Sequence, residues 1–246
     1  MIMPAHYLHC ENVDQLPDVR PADSSPGLIN IWKLDILSQK PQFLQLEQLL
    51  NAEEKARAAR FHQQKDAQQF TVTRAVLKIL LADAASSAPE NIKIMLSENN
   101  KPLIPENTGV HFNVSHSGDE AVIAIAKQPV GIDVEQMQTD FDYHSVAEYA
   151  FSEAESAQVQ KSGHPRQEFF RIWTRKEAFL KGLGTGLIND LKLISCLDTP
   201  TKINPLIKGV TAGWNIKTLE FDQAYMMSIA CESLGPAVRI HLSAYK

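Results

Sequence analysis

The chain has 246 residues, 44% of them apolar, with a mean hydropathy of −0.21 and a formal net charge of −5. This is enough for one large domain or two smaller ones with real cores. The acidic balance argues against sequence-independent nucleic-acid binding, and no apolar run approaches the roughly 18 residues of a membrane span.

Residues 1–27 are polar, carry four prolines and read as an irregular leader. Their start, MIMPAHYLHCENVD, has neither a basic nor an apolar stretch, so no signal peptide is expected. GLINIWKLDI (27–36) alternates as a strand, with Ile29 and Ile31 on one face and Leu28, Trp32 and Leu34 on the other. From Pro41 a helical pattern follows, with Phe43, Leu46, Leu49 and Leu50 as its apolar side. Asn51, with Glu54 at capping-box spacing, predicts the start of a short charged helix, AEEKARAARF. DAQQFTVTRAVLKILLADAA (66–85) predicts a long helix capped by Asp66. Arg57 and Arg74 stand on these helices as candidate anion holders; a solvated face for the first and a snorkelling side chain for the second are the competing readings.

NIKIMLSENNKPLIP reads as a short strand and a turn at Asn99 and Asn100, with Lys101 following. HFNVSHSGDEAVIAIAKQ reads as strand, tight turn at Ser117–Gly118, strand. Ser115 and His116 fall at the end of the first strand, where a hydroxyl, an imidazole and turn amides can converge on an anion. PVGIDVE reads as a strand, then a loop and a helix run through YHSVAEYAFSEAESAQVQ. FFRIWTRKEAFLKGLGTGL (169–187) is a helix ended by its glycines. LKLISCLD, GWNIKTLEF, AYMMSIACE and AVRIHLSAY read as short strands. Cys10, Cys196 and Cys231 show no metal-ligand spacing, which fits a reducing, cytoplasmic setting.

Two pairings carry chemistry. Glu177 and Lys181 lie one helical turn apart, side by side; such a pair is commonly a solvated surface contact. Asp133 and Glu135 lie two apart in a strand, so both carboxylates point one way and call for a positive partner. An internal echo links the halves: FTVTRAVLK (70–78) against WTRKEAFLK (173–181), FNV at 112 against WNI at 214, and IA at 125 against IA at 229. The implied fold is α+β: two similar α/β halves with pseudo-twofold symmetry, each a helix on a small, mostly antiparallel sheet, divided as 1–128 and 129–246. Within the echo Arg74 takes the place of Glu177. Asp133, Glu135 and Glu177 are hard oxygen ligands suited to Mg²⁺ held with substrate phosphates. Arg57, Arg74, Lys101, His116 and Lys181 are cations able to cradle those phosphates, the apparatus of phosphoryl-type transfer.

FNVSHSG, PVGIDVE and FFRIWTRKEAFLKGLGTGL, in that order, resemble the signature of the 4′-phosphopantetheinyl transferases of the surfactin-synthetase-activating type. NNKPLIP is similar to the family's glycine-basic-proline segment, with Asn100 in place of the glycine, and EEKARAARF…TRAVLK is similar to its basic first helices. The resemblance covers about residues 50–190. It implies transfer of the 4′-phosphopantetheine arm of coenzyme A to a serine of an apo acyl or peptidyl carrier protein, with release of adenosine 3′,5′-bisphosphate. It implies Mg²⁺ on Asp133, Glu135 and Glu177, with Glu177 also as base for the serine. Lys181 would neutralise the pyrophosphate, Ser115 and His116 would meet the nucleotide's phosphates, and Lys101, Arg74 and Arg57 would add charge around it. A monomer is expected, since the two halves supply internally what a dimer would supply by symmetry. A non-catalytic coenzyme A-binding regulator and another Mg²⁺-dependent nucleotide transferase are the alternatives.

Overall fold

A computed structural model describes residues 6–13, 28–105, 108–186, 190–232 and 239–245. Most of the proline-bearing leader and Leu187, the last residue of the long C-terminal motif, lie outside them. One sheet is formed by β2 (Leu28–Asp35), β6 (Glu120–Ala126) and β5 (His111–Ser117), antiparallel and in that order. The other begins with β7 (Val130–Gln136), β10 (Tyr225–Glu232) and β9 (Trp214–Phe221), also antiparallel and in that order.

Each trio carries one long helix. α3 (Gln64–Ala84) comes between β2 and β5 in the chain, and α6 (Pro165–Leu183) between β7 and β9. The echo in the sequence is therefore an echo of architecture: strand, helix, hairpin, twice. Alternation explains how the trios meet. In β2, Ile29 and Ile31 face the other sheet, whereas Trp32 and Leu34 face α3. Val122, Ala124 and Ala126 join Ile29 and Ile31 against Val130, Ile132, Val134, Met227 and Ile229, an apolar layer between the sheets. Each fully buried aliphatic side chain there contributes about 1.5–3 kcal/mol.

The structure departs from the sequence reading in four places. β1 (Tyr7–Asn12) lies in the supposed irregular leader and runs parallel to β9, with the two-residue β8 (Thr201–Lys202) on its other side. Correspondingly, β11 (Arg239–Ala244) runs parallel to β2, so the chain ends are exchanged between the two sheets. α3 starts at Gln64 without a side-chain cap, and Asp66 sits in its first turn, where its charge suits the helix dipole. The single helix expected after β7 is two, α4 (Tyr143–Ala150) and α5 (Glu153–Lys161), because Ser152 and Glu155 form a capping box that starts a second helix. LKLISCLD is not a strand. Its backbone is taken up instead by the buried Lys176 ammonium, which donates to Leu191 O and Ile194 O.

The short helices α1 (Phe43–Gln48) and α2 (Ala52–Ala58) cover α3, and Asn51 and Glu54 make the predicted reciprocal cap. At the Asn99–Asn100 turn, between β3 (Met95–Leu96) and β4 (Pro102–Leu103), Asn100 has φ 61°, a left-handed conformation that asparagine tolerates.

α6 lies unusually close to β7. A Cβ added at Gly131 would stand 2.0 Å from Ala178 O and 2.2 Å from Gly182 N, so backbone meets backbone there. Gly182 itself leaves room for the Trp214 ring, 2.5 Å from where its own Cβ would be. Gly131→Ala must push helix and strand apart. It should lower stability by more than about 2 kcal/mol in urea unfolding; an unchanged midpoint would contradict the close approach.

Candidate active site

β7 and β5 are the facing edges of the two sheets, and side chains of β5 bridge them. From Asn113 onward every second residue of β5 reaches across. Asn113 Oδ1 accepts from Ile132 N at 2.8 Å, Ser115 Oγ donates to Asp133 Oδ1 at 2.9 Å, and Ser117 Oγ donates to Glu135 Oε2 at 2.8 Å. Asp133 and Glu135 share the face of β7 that α6 covers, as a period of two requires. The glycine contact brings the helix down onto that face, so Lys181 Nζ reaches Asp133 Oδ1 at 2.6 Å and Ser115 Oγ at 3.0 Å. The positive partner demanded by the two like charges comes from α6.

Burial dominates the electrostatics. Asp133 is 2% exposed, and desolvation raises its pKa despite the Lys181 ammonium and the Ser115 hydroxyl. Burial, then repulsion from Asp133, pushes Glu135 up to about 7, with hydrogen bonds from Ser117 and Trp173 opposing the rise. The same two causes raise Glu177, opposed by Lys181. Asp133 Oδ2 is buried and has no hydrogen-bond partner among the described residues. Such a group costs on the order of 1–3 kcal/mol in the free protein.

A cavity of about 260 Å³ adjoins this seam, lined by Glu177, Lys181, Lys101, Asn113 and the Gly184–Gly186 segment among others. Lys101 Nζ donates to Gly182 O at 2.7 Å, and Asn99 Nδ2 donates to Gly184 O at 3.1 Å, so the turn from the first half closes the end of α6. Burial lowers Lys101 to about 8. His116 is exposed at the end of β5, with its pKa lowered by desolvation and by Lys181. Gly184 ends α6 in a left-handed conformation, φ 69°.

Arg57 and Arg74 stand apart from that cavity. Both guanidiniums lie over the Phe70 ring, at 5.0 and 5.5 Å, and Arg74 Nε faces Glu54 at 3.7 Å. Lys78, the counterpart of Lys181 in the echo, is buried on Leu49 O. Sequence reasoning passed over Asn113 and Ser117; the alternation of polar residues in FNVSHS was the signal that could have found them. Among the described residues, no three His, Cys, Asp or Glu side chains form a cluster able to hold a metal ion as they stand. No helix is long and apolar enough to cross a membrane among those residues.

A family model described as the 4′-phosphopantetheinyl transferase superfamily matches residues 129–230, and one described as 4′-phosphopantetheinyl transferase, N-terminal, matches 37–128. The chain is 30% identical over 217 residues to the 4′-phosphopantetheinyl transferase psf-1 of Bacillus pumilus, covering 87% of this chain and 92% of that protein. It is 28% identical over 213 residues to the 4′-phosphopantetheinyl transferase HetI of a Nostoc species, covering 84% and 89%. To the 4′-phosphopantetheinyl transferase Sfp of Bacillus subtilis it is 27% identical over 183 residues, covering 73% and 81%.

The raised carboxylates have a consequence for stability. Glu135 holds its proton more tightly folded than unfolded, so its contribution is complete below the ordinary value of 4.5 and is lost as pH rises through about 7. Glu135→Gln removes that loss. In thermal melts with a chelator, the variant should gain on the order of 1 kcal/mol more over wild type at pH 8 than at pH 5, after allowance for solvent screening. An equal gain at both pH values would contradict the burial effect.

Proposed function

This chain belongs to the 4′-phosphopantetheinyl transferase superfamily, and on that premise we propose that it moves the 4′-phosphopantetheine arm of coenzyme A onto a serine of an apo acyl or peptidyl carrier protein. The observation that carries the reading is the seam itself: Lys181 bonded to Asp133, with Glu135 and Glu177 beside them, next to a cavity that also holds Lys101.

In this reading the serine oxygen attacks the phosphorus that bears the pantetheine arm, and the bond from that phosphorus to the bridging pyrophosphate oxygen breaks. Adenosine 3′,5′-bisphosphate leaves with the electron pair. Glu177 takes the serine proton, directly or through water; its raised pKa brings it nearer the working range of a general base. Lys181 offsets the charge gathering on the pyrophosphate. Lys101, Ser115 and His116 serve the nucleotide side, and Arg57 and Arg74 supply outlying positive charge. The half-boundary at residues 128 and 129 belongs to this proposal, as do a cytoplasmic monomer and the absence of nucleic-acid and membrane partners.

The chemistry of the donor set suits Mg²⁺, once the three side chains converge: they are carboxylates of hard oxygen, and one has a buried oxygen with no partner among the described residues. Asp133, Glu135 and Glu177 would hold it, and when bound it would neutralise charge on the pyrophosphate oxygens.

Intact-mass spectrometry of an apo carrier protein incubated with this chain, coenzyme A and Mg²⁺ tests the proposal. The carrier should gain one phosphopantetheine arm. Glu177→Gln should slow the gain by at least ~10²-fold at saturating coenzyme A. No gain with fatty-acid or peptide-synthetase carriers, despite measurable coenzyme A binding, would overturn it.

A further inference from the structure

The two serines of the seam differ from ordinary strand hydroxyls in how their single proton is used. A hydroxyl has one proton to give and two lone pairs to accept with. Ser117 Oγ accepts from Gln136 N at 3.0 Å, which fixes one lone pair and turns the O–H toward Glu135 Oε2 at 2.8 Å. Ser115 is held in the same manner, accepting from Lys181 and donating to Asp133. Each carboxylate of β7 thus meets a hydroxyl whose direction is set by a second bond.

The turn that follows keeps Ser117 in place. Gly118 has φ 60°, and a Cβ there would lie 2.7 Å from both Gln136 Oε1 and Tyr225 Oη, so the β5–β6 turn touches side-chain tips from the ends of β7 and β10. Glu135 is the carboxylate that most needs such a partner. Asp133 has an ammonium at 2.6 Å, whereas Glu135 takes part in no ion pair among the described residues.

We infer that Ser117 is a positioning residue, supplied by the first half of the molecule, that fixes the carboxylate of Glu135 for cation binding in the second half. The inference rests on the reading that Glu135 is a metal ligand, and deepens it. Hydrogen-bond partners behind a ligating group hold its orientation, and their loss commonly costs about 10–100-fold in metal affinity.

The test compares wild type, Ser117→Ala and Ser117→Thr, using Mn²⁺ as the probe in the presence of coenzyme A and without carrier, so that no turnover occurs. Free Mn²⁺ is followed by electron paramagnetic resonance, and thermal melts are run with chelator. Ser117→Ala should raise the Mn²⁺ half-saturation concentration about tenfold or more. Ser117→Thr, which keeps the hydroxyl, should restore it to within about threefold of wild type. In turnover, the Mg²⁺ requirement of Ser117→Ala should rise by a similar factor with the carrier KM unchanged. If both variants bind Mn²⁺ like wild type, or if the alanine variant melts earlier with Mn²⁺ binding intact, Ser117 is only a fastening of the seam and the inference falls. If wild type itself binds no Mn²⁺, the metal reading of Glu135 falls first, a result distinct from failure of Ser117 alone.

Discussion

The contact of α6 backbone with β7 backbone is the constraint from which the site follows. Gly131 lets Ala178 O and Gly182 N come within touching distance, and only then can Lys181 reach Asp133. Two buried cations of the same helix keep it there. Arg175 and Lys176 are both 0% exposed, and every acceptor they use comes from the C-terminal half or β1. Arg175 reaches Thr218, Cys196 O, Asn12 and Asp198, while Lys176 meets Glu155 at 2.8 Å together with two carbonyls. A buried ion pair adds little net stability against an apolar replacement, and removing one partner is expensive. Turning α6 by one residue would strand two buried cations at once. These pairs therefore set the register of the helix, which in turn sets where Glu177 and Lys181 point.

The duplicated scaffold shows how one architecture serves two ends. In the first half, α3 places Arg74 and Lys78 where α6 has Glu177 and Lys181. There Arg74 faces Glu54, and Lys78 is spent on Leu49 O, because α1 and α2 cover that end of the helix. In the second half the corresponding positions stay uncovered and open to the seam and its cavity. The difference lies in what covers the helix more than in the helix itself.

Much of this was legible because its causes are local. Alternation in LINIWKLD and VGIDVEQ follows from a strand having one face on each of two layers, and Asn51…Glu54 is a self-contained cap. The grouping of Asp133, Glu135, Glu177 and Lys181 could be drawn from two spacings plus the requirement that like charges be compensated. What stayed hidden depends on distant partners. β1 is a strand because β9, some two hundred residues later, runs beside it, and YLHCEN carries only Leu8 and Cys10 as inward residues. LKLISCLD has the composition of a strand, yet a lysine from α6 claims its carbonyls. Ser117 looks like a turn residue in the sequence; its role depends on the neighbouring edge of a separate sheet.

Charge balance links the free protein's discomfort to the proposed reaction. Three carboxylates with raised pKa values share one bonded ammonium, and Lys101 stands farther along the cavity with its proton only modestly secure. His116 adds little positive charge near neutral pH, since desolvation and Lys181 hold it below its ordinary value. A pyrophosphate brought beside this group would meet more negative charge than positive, and each uncompensated pair at about 4 Å costs on the order of 4 kcal/mol near a protein surface. A ligand that arrives with its own positive charge relieves that cost without requiring the carboxylates to take up protons. In the proposed reading the carboxylates therefore discriminate against bare phosphate compounds and in favour of a pyrophosphate already complexed to a divalent cation. Burial first, and the charge of Asp133 second, raise Glu135 and Glu177, and in the proposed reading a bound cation would offset both.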